Sequence, residues 1–225
     1  MPFEGFDRDA IELLGEMPGW SAKNYEREKS RLKVGVMEPG AALIEDLAEA
    51  LDADLTVVRR SSVSPLHRDL RFAKAGSPRY KDHLLLTAWT GSDKKTAPTL
   101  WLRLAPDGVG FASGMGFDPK ARARWREAVG GKPGEALAKA LKAAGKGATA
   151  GRCEYAGEQL KKVPAPWPDD HPRAELLRMN GFQARFMAPL PASVSKPAFV
   201  RWCTTRFKRL LPVHDWLVRE VAAKR

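Results

Sequence analysis

Residues 99–114 read TLWLRLAPDGVGFASG. Leu100, Leu102 and Leu104 alternate with Trp101, Arg103 and Ala105, and a period of two places the leucines on one face of a strand and the mixed set on the other. Pro106, Asp107 and Gly108 follow at once. Proline presets the dihedral that opens a tight turn and glycine accepts the dihedral that closes one, so the chain folds back on itself. The reading is an antiparallel pair, 99–105 against 109–113. A hairpin at the centre of the chain, with helical patterns on both sides, reads as an α+β fold.

Working outward, LTVVRR at 55–60 and LLLTAWT at 84–90 carry the β-branched and aromatic residues of strands, and FQARFMAPL at 182–190 reads as the last strand. Helices flank them. Asp7 is placed to cap a helix ending near Met17, with Phe6 and Ile11 spaced as a hydrophobic staple. A charged helix runs from Ser21 towards Val36, and a third follows Pro39, where Leu43, Ile44, Leu47 and Leu51 repeat at helical spacing. Asp118 followed by Pro119 starts another, ending near Gly130. Residues 132–151 read as an Ala- and Lys-rich helix followed by a loose loop that is expected to move. A helix over 173–179 and two C-terminal helices, from Ser195 and after Pro212, complete the series. The expected architecture is a single α+β domain whose twisted, mostly antiparallel sheet has helices packed around it. Its parts are a helical layer over 1–54, the sheet and a basic segment over 55–118, and helices with the last strand over 119–225.

With 44% hydrophobic and 29% charged residues in 225, the composition is globular and excludes disordered and fibrous classes. A chain of this length buries roughly 70–75% of its unfolded surface. The acidic start MPFEGFDRDAIELL has no basic-then-apolar leader, and no apolar run approaches the roughly 20 residues that span a bilayer. A cytoplasmic protein without membrane contact is the expectation. Cys153 and Cys203 are too few for a disulfide framework and read as reduced and structural. Residues 1–58 hold 6 Lys or Arg against 13 Asp or Glu, a net of −7, while residues 59–225 hold 32 against 14, a net of +18. Opposite charges of that size draw the two parts together and leave a basic surface attractive to polyanions.

The densest charge lies in HRDLRFAKAGSPRYKDH, 67–83, where Arg68, Arg71, Lys74, Arg79 and Lys81 face only Asp69 and Asp82. A turn at Gly76, Ser77 and Pro78 brings the two halves together. Guanidinium groups stay charged at any ordinary pH and match phosphate or carboxylate with paired donors. The candidate ligand-binding residues are therefore Arg68, Asp69, Arg71, Lys74, Tyr80 and Lys81, with Asp69 orienting the arginines and Tyr80 closing the pocket. The alternative is an ion pair that orders a loop. The partner expected is an anionic small molecule. A nucleic-acid-binding module and a non-catalytic interaction protein are the other classes.

Other candidates are weaker. The glycines of VGFASGMGFDP, 109–119, could offer backbone N–H groups to an anion, but they match no phosphate-loop pattern and suit turns or bulges. His67 with Asp69, and His214 with Asp215, lack a nucleophile in an elbow context, so no catalytic residue, reaction or cofactor is assigned. His67, Asp69, His83, Asp169, Asp170 and His171 show no metal-ligand spacing, and no metal is expected. Trp202, Phe207 and Trp216 are interleaved with basic residues as in an RNA-binding helix, yet Phe199, Trp202, Cys203, Phe207 and Leu210 fall at core-facing intervals.

The succession RDLRFAK, SPRYKDH, LWLRLAPDGVGF, GMGFDP and LKKVPAPWPDDHPRAELLRMNGF resembles the family catalogued as domain of unknown function 2461, conserved hypothetical proteins of bacteria and fungi. The most specific piece corresponds to Arg68, Asp69, Arg71, Phe72, Lys74, Pro78, Tyr80 and Lys81. The resemblance implies one α+β domain and emphasises the basic segment; it implies no activity. This chain departs from the family pattern at Arg79, at Ala75 and Gly76, at Ala112 and Ser113 within a glycine triplet, and at Asn24 and Leu32.

Overall fold

The hairpin forms where the alternation places it. In the computed structural model, which describes residues 1–71, 73–146 and 154–222, Thr99 pairs with Gly114 and Ala105 with Gly108 in an antiparallel ladder. In chain order the elements are α1 (Arg8–Glu16), α2 (Ala22–Leu32), α3 (Glu38–Leu51), α4 (Arg59–Ser62), β1 (Leu84–Trp89), β2 (Thr99–Ala105) and β3 (Gly108–Gly116). After them come α5 (Pro119–Gly130), α6 (Pro133–Gly145), β4 (Glu154–Ala156), α7 (Ala174–Leu177), β5 (Gly181–Ala188), α8 (Ala198–Phe207) and α9 (Leu211–Glu220). The strands form one sheet in the order β1-β2-β3-β5-β4, antiparallel at every described pairing. This is an α+β fold. Among the described residues no helix is long and apolar enough to cross a membrane.

One face of the sheet is apolar and covered. Leu84, Leu86, Leu100, Leu102, Leu104, Val109, Phe111, Phe182 and Phe186 are all buried, and alternation puts them on the same side. Helix α3 lies close over β1, where a Cβ on Gly40 would sit 2.8 Å from Leu84. Phe111 meets Trp202 and Phe207 of α8, and Trp125 of α5 meets Phe182 and Trp216. The core cluster runs from Phe3 to Val221. Phe199, Cys203, Phe207, Leu210 and Trp216 belong to it, so the C-terminal aromatic pattern is packing. Burial pushes the Cys203 thiol well above its ordinary pKa.

Three expectations change. LTVVRR is not a strand: Thr56 makes an isolated bridge to Trp89 and the chain enters α4 at Arg59, because Ser62 turns back to take the Val58 N–H. The charged helix stops at Leu32 and passes through a π-turn, Lys33–Met37, into α3. There Gly35 lies against α1, a Cβ on it falling 2.5 Å from that of Ala10, and Pro39 of α3 carries no N–H to continue the bonding. The helix at 173–179 shrinks to α7, between backbone bonds that tie the segment to its neighbours. Strand β4 is three residues long, too short for a periodic signal. The segment expected to move, after α6, falls on residues 147–153 and, with Cys153 and Phe72, lies outside the described residues.

Caps behave as read. Asp7 accepts the Asp9 N–H and Asp118 accepts the Ala121 N–H at 2.7 Å. Asp118→Ala should cost about 1 kcal/mol and lower Tm by about 2–4 °C in thermal denaturation; an unchanged Tm would mean that water replaces the cap.

Candidate functional site

The second face of the sheet decides where a ligand can sit. Strand β3 runs through the centre with Gly108, Gly110, Ala112, Gly114 and Gly116 at every second position, so the side of the strand opposite Phe111 carries almost no side chains. Cross-strand register sets the walls. Leu85, Arg103, Gly110 and Met187 form one row across the sheet, and Thr87, Trp101, Ala112, Arg185 and Glu154 form the next. The small residues are a floor, and the larger ones rise on both sides.

The result is a trough of about 780 Å³ lined by Leu85, Trp101, Arg103, Gly110, Ala112, Gln183, Arg185 and Met187, with Asp107 and Glu154 at its rim. That volume suits a small-molecule ligand, for which pockets of roughly 300–1,000 Å³ are usual. Beyond it the same face is closed: Thr87 donates to Ser62 O, and Lys94 stands 5.4 Å over the Trp89 ring.

Two guanidinium groups flank the floor, each braced by a carboxylate. Arg103 Nη1 donates to Asp107 Oδ1 at 2.7 Å, and its Nη2 lies 3.6 Å from Asp82 Oδ2. Arg185 Nε faces Glu154 Oε2 at 3.5 Å and the side chain is half-exposed. Arg103 and Arg185 stand on the two strands flanking β3, one row apart, which at about 4.8 Å per strand and about 7 Å per row separates their backbones by roughly 12 Å. Trp101 lies in the row of Arg185. Hydrogen bonding to His83, at 2.5 Å, and then the nearby Arg103 keep the Asp82 carboxyl below its ordinary pKa.

The basic segment forms one loop beside this trough and joins it through Asp82. His67 bridges Tyr80, Arg68 N–H donates to Arg79 O, and Lys81 N–H donates to Leu66 O. The turn sits at Gly76, φ +80°, as read. Asp69 does hold Arg71, with Nη2 to Oδ2 at 2.6 Å, and this bond keeps the Asp69 carboxyl below its ordinary value. Arg68 Nε donates to Tyr80 O at 3.2 Å, and Lys81 Nζ donates to Pro65 O at 2.7 Å. Burial, then the charge of Arg68, draws the Lys81 ammonium below its ordinary pKa. Lys74 is exposed.

Tyr80 departs from the expectation. It is 2% exposed and stacks on Tyr25 of α2 at 4.7 Å, with the His67 ring edge-on to both. Tyr25 lies far away in sequence, so no local pattern marked the partner that takes Tyr80 into the core. Arg68 and Lys81 therefore close the loop, while Arg71 and Lys74 face water. Arg103, Arg185 and Trp101 were not among the expected site residues; the signal that marks them is the period-two glycine series of β3, which reads as turn chemistry unless its alternation is counted.

Among the described residues no group of three or more His, Cys, Asp or Glu stands together as metal ligands do. No curated protein and no solved structure matches the chain. The family model described as a conserved hypothetical protein, DUF2461, matches residues 21–216, which include the basic loop, the trough and most of the helices. The chain belongs to that family.

Proposed function

We propose that this protein binds a small molecule that combines a flat apolar body with a carboxylate or phosphate group, and that the open-face trough receives it. The carrying observation is the floor of Gly110 and Ala112 between Trp101 on one side and Arg185 on the other. The apolar body lies on the floor against Trp101, and the anion reaches Arg103 or Arg185. Asp107 and Glu154 hold the guanidinium groups before a ligand arrives, which reduces the ordering cost of binding. They also leave the trough near neutral, which favours an anion attached to an apolar body over a bare ion.

Hydrogen bonds to a charged group contribute about 1.5–3 kcal/mol each, and a buried ring about 2–3 kcal/mol. After the costs of association, these terms suit dissociation constants between about 1 µM and 1 mM. The basic loop, with five cations against two acids, adds a positive field that draws anions towards the same edge of the sheet.

A second reading seats the anion on Arg68, Arg71, Lys74 and Lys81 themselves, and the charge density of the loop favours it. Thermal-shift titration with aromatic carboxylates and phosphate monoesters separates the two. A saturable rise in Tm that survives Arg68→Ala with Arg71→Ala and disappears in Arg103→Gln with Arg185→Gln supports the trough. The reverse pattern moves the site to the loop. No saturable ligand in either form, or retention of duplex oligonucleotide with a steep salt dependence, counts against both.

A further inference from the structure

The two charged ends of the trough are not alike. Arg103 lies between two carboxylates, Asp107 at 2.7 Å and Asp82 at 3.6 Å, and its side chain is 26% exposed. Arg185 faces a single carboxylate, Glu154, at 3.5 Å, and its side chain is 51% exposed. Its guanidinium makes no hydrogen bond among the described residues. Gln183 stands two positions before Arg185 on β5, so the two side chains project from the same face, and both line the trough.

The acids hold each arginine from outside the floor. Glu154 comes from β4, the strand beyond β5, and Asp107 from the turn between β2 and β3. Gly110 and Ala112 lie between these two pairs. An anion that approaches Arg103 meets two like charges, whereas at Arg185 it meets uncommitted planar donors. A protonated amine has the opposite preference. Asp82 is already shared with His83, whose Nδ1 stands 2.5 Å from Oδ1, but Asp107 accepts only from Arg103 and its Oδ2 has no hydrogen-bond partner among the described residues. That oxygen is the acceptor that a ligand amine can use.

We propose that the trough takes an amphoteric ligand: a carboxylate or phosphate held by Arg185 with Gln183, and a protonated amine held by Asp107, at opposite ends of an apolar ring that lies over Gly110 and Ala112 against Trp101. The inference rests on the trough being the ligand site and names the class of molecule that this site selects. The backbones of Arg103 and Arg185 are roughly 12 Å apart. A single ring with an acid and an aminomethyl group in para positions fills that span once contacts of about 3 Å are added at each end.

The test is a set of amide chemical-shift titrations of the 15N-labelled protein near neutral pH with 4-(aminomethyl)benzoate, 4-methylbenzoate and terephthalate. Wild type should bind 4-(aminomethyl)benzoate about fivefold more tightly than 4-methylbenzoate, the gain expected of one solvent-exposed ion pair, and terephthalate more weakly than either. Asp107→Asn should bring the first two dissociation constants together. Arg185→Gln should weaken all three at least fivefold. Arg103→Gln should strengthen 4-(aminomethyl)benzoate, because Asp82 and Asp107 lose their counter-charge. Saturable shifts along the trough with no preference for the amine, a preference that survives Asp107→Asn, or carboxylates weakened more by Arg103→Gln than by Arg185→Gln would overturn the amphoteric ligand and leave the trough as the site. No saturable shift with any of the three would overturn both.

Discussion

Gly114→Ala is expected to destabilise the protein by about 3 kcal/mol or more, lowering Tm by about 6–12 °C, while Gly110→Ala, four positions earlier on the same face, costs little. A Cβ on Gly114 would lie 2.0 Å from Phe182 O and 2.6 Å from Gln183 Cα. Both are backbone atoms of β5, held by the ladder, so relief requires moving a strand. At Gly110 the added methyl meets Met187 Sδ at 2.9 Å and Arg103 Cβ at 3.3 Å, and the thioether tip can swing aside. The two glycines thus serve different ends. Gly114 lets two strands approach, and Gly110 keeps the trough floor empty. Paired denaturation curves check this; equal losses at both positions would mean that the trough is packed like a core.

A second large effect is expected on acidification. His214 of α9 is 1% exposed and burial lowers its pKa to about 4. The Thr90 hydroxyl donates to Asp54 O at 2.7 Å, so its oxygen accepts from His214 Nε2–H at 2.9 Å. That leaves Nδ1 as the bare nitrogen, buried and without a partner among the described residues. Protonating it would place an uncompensated charge in the core. Below pH 6.5 the unfolded chain takes up a proton that the folded chain refuses until about pH 4, so stability falls across that window. The loss is about 3 kcal/mol. His214→Gln removes the titration, and its stability should fall by about that much less than wild type between pH 7 and 4, followed by urea denaturation. Parallel curves would show that the imidazole titrates normally.

Much of the fold is legible because local signals agree with tertiary ones. The alternation of Leu100, Leu102 and Leu104 with the Pro106 to Gly108 turn defines the central hairpin, and Asp7 and Asp118 mark helix starts by capping chemistry. LTVVRR misleads because β-branched content reports fit to a pleated surface, and this segment meets the edge of β1 at a single bridge before α4. The site is less legible. Charge density singles out 67–83, but density does not say which cations close a loop and which meet a ligand. Arg68 and Lys81 turn to backbone carbonyls of their own loop, and Tyr80 finds Tyr25 across the fold. The trough depends on register across β2, β3 and β5.

The most direct test of the trough is amide chemical-shift mapping of the 15N-labelled protein titrated with phenyl phosphate and with benzoate. Binding in the trough should give saturable shifts concentrated at Trp101, Arg103, Gly110, Ala112 and Arg185 and at the Trp101 indole N–H. Shifts confined to residues 67–81, or no saturable shift anywhere on the outer face of the sheet, would contradict it.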